Sequence, residues 1–217
     1  MPLLSTDWSN NGRDPFAFLV SWSEAVAGAL IAQLPADRFA VKTDCTTRAQ
    51  AAEAVAPLAV GPSPTFTAPA RLTDRVGTRV ADARDGSVVA AVLFVTPDNK
   101  ADSDSALALA VRAAGLMSGG AGVVIVDALP GPASWATHLH SLTGVFPITK
   151  RPRGTDSPVL AVQPAFPNGA EQFAVWHHNV PAGAALPTVP VAVRGVLNLA
   201  LDLEATYAEA CQRSKLA

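Results

Sequence analysis

A chain of 217 residues that is 49% hydrophobic and 16% charged is long enough to fill its own core and needs no disulfide framework. Its formal net charge of -2, with 16 Lys and Arg in all, gives no general basis for gripping a polyanion, so any contact with nucleic acid has to be local. No run approaches the roughly 18 apolar residues of a membrane span, and Met1 to Trp8 show no basic region leading into an apolar run. These features predict a cytoplasmic protein with no membrane association. Cys45 and Cys211 are far apart, match no metal or redox spacing, and read as two reduced thiols.

Asp14-Pro15 opens a first helix, with Asp as its cap and Pro in the first turn, where the missing N–H costs nothing. Phe16, Leu19, Ser23, Val26, Leu30 and Leu34 then recur at helical spacing until Pro35, and Trp22 beside that face reads as core. Arg38 to Thr47 is a first strand, Ala49 to Leu58 a short helical turn, and Val60 to Pro69 an irregular loop. Asp85-Gly86 is a hairpin turn, so Arg75 to Ala83 should pair antiparallel with Val88 to Val95.

A helix capped at Asp102 or Ser103 and running to Met117 is followed by a glycine stop and the strand Val123 to Asp127. Two uninterrupted β-branched strands around a helix form a buried β-α-β unit, and the exits of such strands are where α/β proteins place chemistry. Ala133 to Leu142 is a further helix, and Pro158 to Gln163 and Gln172 to Trp176 are edge or antiparallel strands. Val189 to Val196, broken by Pro190, reads as an edge strand or extended arm, and Asp202 caps a last helix from Leu203 to Arg213. With no repeat and no linker, residues 1–217 should form one α/β domain with a mixed central sheet flanked by helices. A Pro-rich arm and helix at about 181–213 close it.

One constellation invites a chemical test: Asp82, Asp98, Asn99, Lys100 and Asp127. Carboxylates at strand exits can bind Mg²⁺, and a nearby lysine can neutralise a developing phosphate charge. The plainer alternative is that Pro97-Asp98-Asn99 forms a turn and Lys100 is a solvated residue. His138 with His140 and His177 with His178 have the wrong spacing for a chelate, and no Gly-x-Ser-x-Gly nucleophile or phosphate-cradling glycine loop is present. The Arg194 and Asp202 to Glu204 region is explained by a helix cap and a salt bridge.

Four pieces in order, Met1-Pro-Leu-Leu, Val95-Thr-Pro-Asp-Asn-Lys100 with Val123-Val-Ile-Val-Asp127, Leu186-Pro-Thr-Val-Pro-Val-Ala-Val-Arg-Gly195, and Leu201-Asp-Leu-Glu-Ala-Thr-Tyr-Ala-Glu-Ala-Cys211, span nearly the whole chain. They resemble an uncharacterised bacterial family catalogued only as a domain of unknown function. Its strand-Ser-Pro-x-Asn-Lys segment in turn looks like the core of the PD-(D/E)XK, restriction-endonuclease-like fold, in which a carboxylate on the central strand helps hold a metal ion. In that pattern a Glu stands three residues before the Ser-Pro pair, where this chain has Leu93. The following helix, rich in Lys and Arg in the relatives, keeps only Arg112 between Ala106 and Met117, and no Pro-Asp pair falls between Asp44 and Glu53.

The resemblance therefore implies a restriction-endonuclease-like core with a degenerate site. Lys100 and Asp127 stand in the vestigial catalytic positions and Asp98 and Asn99 in binding ones, with no cofactor. The expected role is a non-catalytic module that binds an unidentified protein partner or associates with itself. A divergent Mg²⁺-dependent nuclease or phosphodiesterase is the alternative, with Asp98 and Asp127 as metal ligands and Lys100 on the phosphate. A small-molecule sensor with a pocket lined by Trp135 and Trp176 is a second alternative.

Overall fold

The computed structural model describes residues 14–53, 72–129, 131–145, 156–165, 172–194 and 197–214. The helix expected from Asp14 is α1 (Pro15–Ile31), with the Asp14 carboxylate accepting the Phe16 N–H at 2.9 Å. Next come β1 (Phe39–Thr43), α2 (Arg48–Glu53), β2 (Val76–Asp82), β3 (Val88–Phe94), α3 (Pro97–Ala101), α4 (Ser103–Ser118) and β4 (Gly122–Val126). The chain ends with α5 (Ser134–Thr143), β5 (Asp156–Ala165), β6 (Gln172–Pro181), β7 (Thr188–Val193), β8 (Leu197–Asp202) and α6 (Leu203–Arg213). The loop expected at Val60 to Pro69, and the end of the helical turn expected to reach Leu58, lie outside the described residues. Among the described residues, no helix is long and apolar enough to cross a membrane.

Six strands form one open mixed sheet in chain order, β1 to β6. Only the β3–β4 pair is parallel, and α3 and α4 make the crossover between them. The hairpin at Asp85-Gly86 is present, with Gly86 at φ 72° and β2 and β3 antiparallel. Every residue of β4 is buried, as is all of β3 after Val88, because helices or strands cover both faces of the sheet there.

One face packs α1, α6 and the β7–β8 hairpin around Trp22, Phe94, Val124 and Leu201. Trp22 is wholly buried, donates its indole N–H to Thr206 Oγ1 at 3.0 Å, and lies 5.0 Å from the rings of both Phe94 and Tyr207. The opposite face packs α4 and α5 on Leu93, Ile125 and Leu160. Asp202 caps α6, accepting the Ala205 N–H at 2.9 Å, and Glu204 accepts the Leu186 N–H at the same distance. The expected cap is present, whereas the expected salt bridge is not found among the described residues: Glu204 is used on a backbone N–H and Arg194 on Gly119 and Ser87.

The Pro-rich stretch expected to form an arm does not extend freely over its described residues, 181–194. β7 turns back and pairs antiparallel with β8, a strand absent from the sequence reading, and Val189, Val191 and Val193 face the chain's own sheet. An apolar row of alternate valines needs a cover, and the nearest one is intramolecular. The approach is close: a Cβ on Gly122 would lie 2.2 Å from the Ala192 carbonyl oxygen, so β4 must begin with glycine. Arg194 fastens the hairpin end by donating to the Gly119 carbonyl at 2.7 Å and to Ser87 Oγ at 2.9 Å.

Candidate functional site

The β3 and β4 exits place Lys100 and Asp127 together. Thr96 caps α3 by accepting the Asn99 N–H on its hydroxyl, while Asn99 Oδ1 accepts the Thr96 N–H at 3.1 Å. This reciprocal box makes Pro97-Asp98-Asn99 the first turn of a short helix, and it aims Lys100 inward. Lys100 Nζ lies 2.9 Å from Asp127 Oδ1 and donates to the carbonyls of Leu129 at 2.8 Å and Gly131 at 3.2 Å. The three donors of an ammonium thus find three acceptors, and Lys100 is not a solvated residue.

The Asp127 side chain is 0% exposed. Besides Lys100, its Oδ1 accepts the Leu129 N–H at 3.3 Å, and its Oδ2 accepts the Trp135 indole N–H at 2.9 Å. Burial pushes this carboxyl up from its ordinary value, and Lys100 and the indole counter it. An ammonium and an indole already hold both oxygens. A divalent cation at Asp127 would have to displace the lysine, so the donor set fits a buried ion pair better than a metal site.

The rest of the constellation is dispersed. Asp98 Oδ2 accepts the Asp74 backbone N–H at 3.0 Å, and Asn99 is spent on its capping box. Asp82 pairs with Phe39 across the β1–β2 ladder, at the sheet end away from the β3 exit. The Arg84 guanidinium clasps it at 2.9 and 2.6 Å and holds its carboxyl well below the usual range. Leu93 is 0% exposed and packs in the cluster with Leu109, Trp135 and Leu139.

No group of three or more His, Cys, Asp or Glu is placed to hold a metal ion among the described residues. His177 and His178 stand opposite Leu160 and Val159, on different faces of the sheet, as their adjacency in a strand requires. Trp135 and Trp176 also fail to meet. Trp135 packs with Leu160 on the α4–α5 side, whereas Trp176 stands opposite Ala161, whose side chain belongs to the other face. A pocket lined by both is excluded by the sheet between them.

Sequence reasoning missed a second location. The α4 side of β1 and β2 carries a groove of ≈ 420 Å³, lined in part by Asp44, Asp74, Arg75, Arg79, Asn99 and Arg112. Arg75 and Arg79 are two alternations apart on one face, and Arg112 comes from the middle of α4. Asp44 Oδ2 joins two of them, at 2.7 Å from Arg112 and 3.1 Å from Arg79. The period-2 spacing of Arg75 and Arg79 was visible in the sequence, but nothing local ties Asp44 to Arg112, which is 68 residues away. No family model, curated protein or solved structure matches this chain.

Proposed function

We propose that this chain is a non-catalytic, cytoplasmic α/β module with a restriction-endonuclease-like core, acting by binding a protein partner or by self-association. The observation that carries the proposal is the Lys100–Asp127 pair: the residues in the vestigial catalytic positions are bonded to each other and to Leu129, Gly131 and Trp135 inside the fold. A lysine so placed has no donor left for a phosphate. Leu93 supports the same reading, since the position of the missing carboxylate is a packed core site. The nuclease-like lineage is supported by the strand-Thr-Pro-x-Asn-Lys motif at the exit of β3, a central strand, and the cytoplasmic assignment by two free cysteines.

The association reading draws on β6. It is ten residues long, has no further strand beside it among the described residues, and carries the exposed side chains of Phe173 and Trp176. Long strands with an open edge are sites of β-addition. Titration calorimetry with Mg²⁺ and Mn²⁺ on the wild type, Asp98→Ala and Asp127→Ala tests the catalytic status. The proposal expects no saturable binding near millimolar concentration. Binding that both substitutions abolish would restore the nuclease reading and require a substrate screen.

A further inference from the structure

The groove beside α4 goes beyond that reading, because neither Lys100 nor Asp127 lines it and its lining gathers three guanidiniums. Three guanidiniums, Arg75, Arg79 and Arg112, line it against two carboxylates, Asp44 and Asp74, a formal excess of one positive charge, and Asp98 lies close by. Asp44 spends one oxygen on Arg79 and Arg112 together, Asp74 Oδ1 accepts the Arg48 N–H at 2.7 Å, and Asp98 Oδ2 accepts the Asp74 N–H. Lys42, opposite Arg79 on the β1–β2 ladder, adds a fourth cation to the same face.

Each of Arg79 and Arg112 uses one terminal nitrogen on Asp44, and Arg75 has no side-chain partner among the described residues. A guanidinium has five N–H donors in a planar fork that matches carboxylate and phosphate oxygens, so most of the donor capacity here has no partner among the described residues. The Arg112 side chain is only 21% exposed. Burial pushes its guanidinium down from the ordinary value, Arg75 and Arg79 push the same way, and Asp44 opposes them. A partly buried arginine beside two others is stabilised by an added anion.

We propose that this groove binds a small molecule through a phosphate or carboxylate group seated between Arg75, Arg79 and Arg112. Its volume of ≈ 420 Å³ is that of a small-ligand site, which typically runs from about 300 to 1,000 Å³. The apolar wall formed by Leu109 and Leu116 on α4 gives the uncharged part of the ligand a surface to rest on. One compact cluster in a chain of net charge -2 favours a single anionic group over a polyanion, which needs a track of cations.

The test is calorimetric titration of the full chain at fixed ionic strength, in the presence of a chelator, with inorganic phosphate, adenosine 5′-monophosphate and succinate as separate probes. A single-stranded oligonucleotide is the fourth arm. The expected result is saturable binding of at least one small probe, weakened roughly tenfold or more by Arg75→Ala and by Arg112→Gln. Arg75 has an exposed side chain outside the core, so Arg75→Ala should melt with the wild type and remain interpretable if Arg112→Gln does not fold. Binding of phosphate or the nucleotide identifies a phosphoryl ligand, and binding of succinate alone a carboxylate one. The proposal is overturned by no saturable binding of any small probe below about 10 mM. It is also overturned by binding indifferent to Arg75→Ala, or by an oligonucleotide that binds tightly while the small probes do not.

Discussion

Trp135 donates its indole N–H to Asp127 Oδ2 at 2.9 Å, on the carboxylate oxygen that does not hold Lys100. The helix α5 is thereby tied to the exit of β4 through a wholly buried carboxylate. Trp135→Phe keeps most of the ring in place but leaves that oxygen without its donor. The expected loss is about 1–3 kcal/mol of stability, read by urea denaturation. An unchanged midpoint would mean that the indole contact contributes nothing.

Leu93→Glu installs the residue type that the nuclease pattern has at the corresponding position. In this fold it buries a carboxylate among Leu109, Trp135 and Leu139, on the sheet face where Leu93 pairs with Gly77 between Arg75 and Arg79. Taking a carboxylate out of water into this packed cluster is costly and guanidiniums on the same face offset it only in part, so the variant should be destabilised and should gain no affinity for Mn²⁺. A stable variant that binds Mn²⁺ would show that Leu93 faces a usable site.

Arg194 holds the β7–β8 hairpin to the sheet through Gly119 and Ser87. Arg194→Ala should cost about 1 kcal/mol and speed hydrogen exchange at the β7 and β8 amides more than elsewhere. Uniform protection across the sheet would argue that the valines alone seat the hairpin.

Burial raises the thiols of both Cys45 and Cys211 above their ordinary value. Both should therefore react slowly with a disulfide reagent at neutral pH in the native chain and at once on unfolding. Fast native labelling of Cys211 would contradict the packing of α6.

The elements legible in the sequence were those set by neighbours along the chain. Asp14-Pro15 and Asp202 marked helix starts because a cap is a contact across three residues, and Asp85-Gly86 marked the β2–β3 hairpin because its turn needs positive φ. β8 also has a signal, the alternation of Leu197, Leu199 and Leu201, but it runs straight into the capped helix with no turn residue to separate the two. Pro190 leaves Val189 to Val196 open between an edge strand and an extended arm. It is an edge, on a two-stranded hairpin laid over the main sheet. The site was less legible, since spacing put Asp98, Lys100 and Asp127 near one another without saying which would pair. The Asp44–Arg112 contact is a tertiary event with no local trace.

The most direct test of the central claim, that the fold itself consumes the chemistry-bearing residues, is the pH-dependent stability of Lys100→Met. Removing the ammonium leaves Asp127 buried without its counter-charge, at an expected cost of about 3–5 kcal/mol at neutral pH. Burial then raises the folded-state pKa further above the unfolded one, so the folded chain holds the proton more tightly and stability falls as pH rises. The deficit against wild type should accordingly shrink as the pH is lowered toward the ordinary carboxylate range. A Lys100→Met chain as stable as the wild type at neutral pH, with no such pH trend, would contradict the account and return Lys100 and Asp127 to the list of candidate catalytic groups.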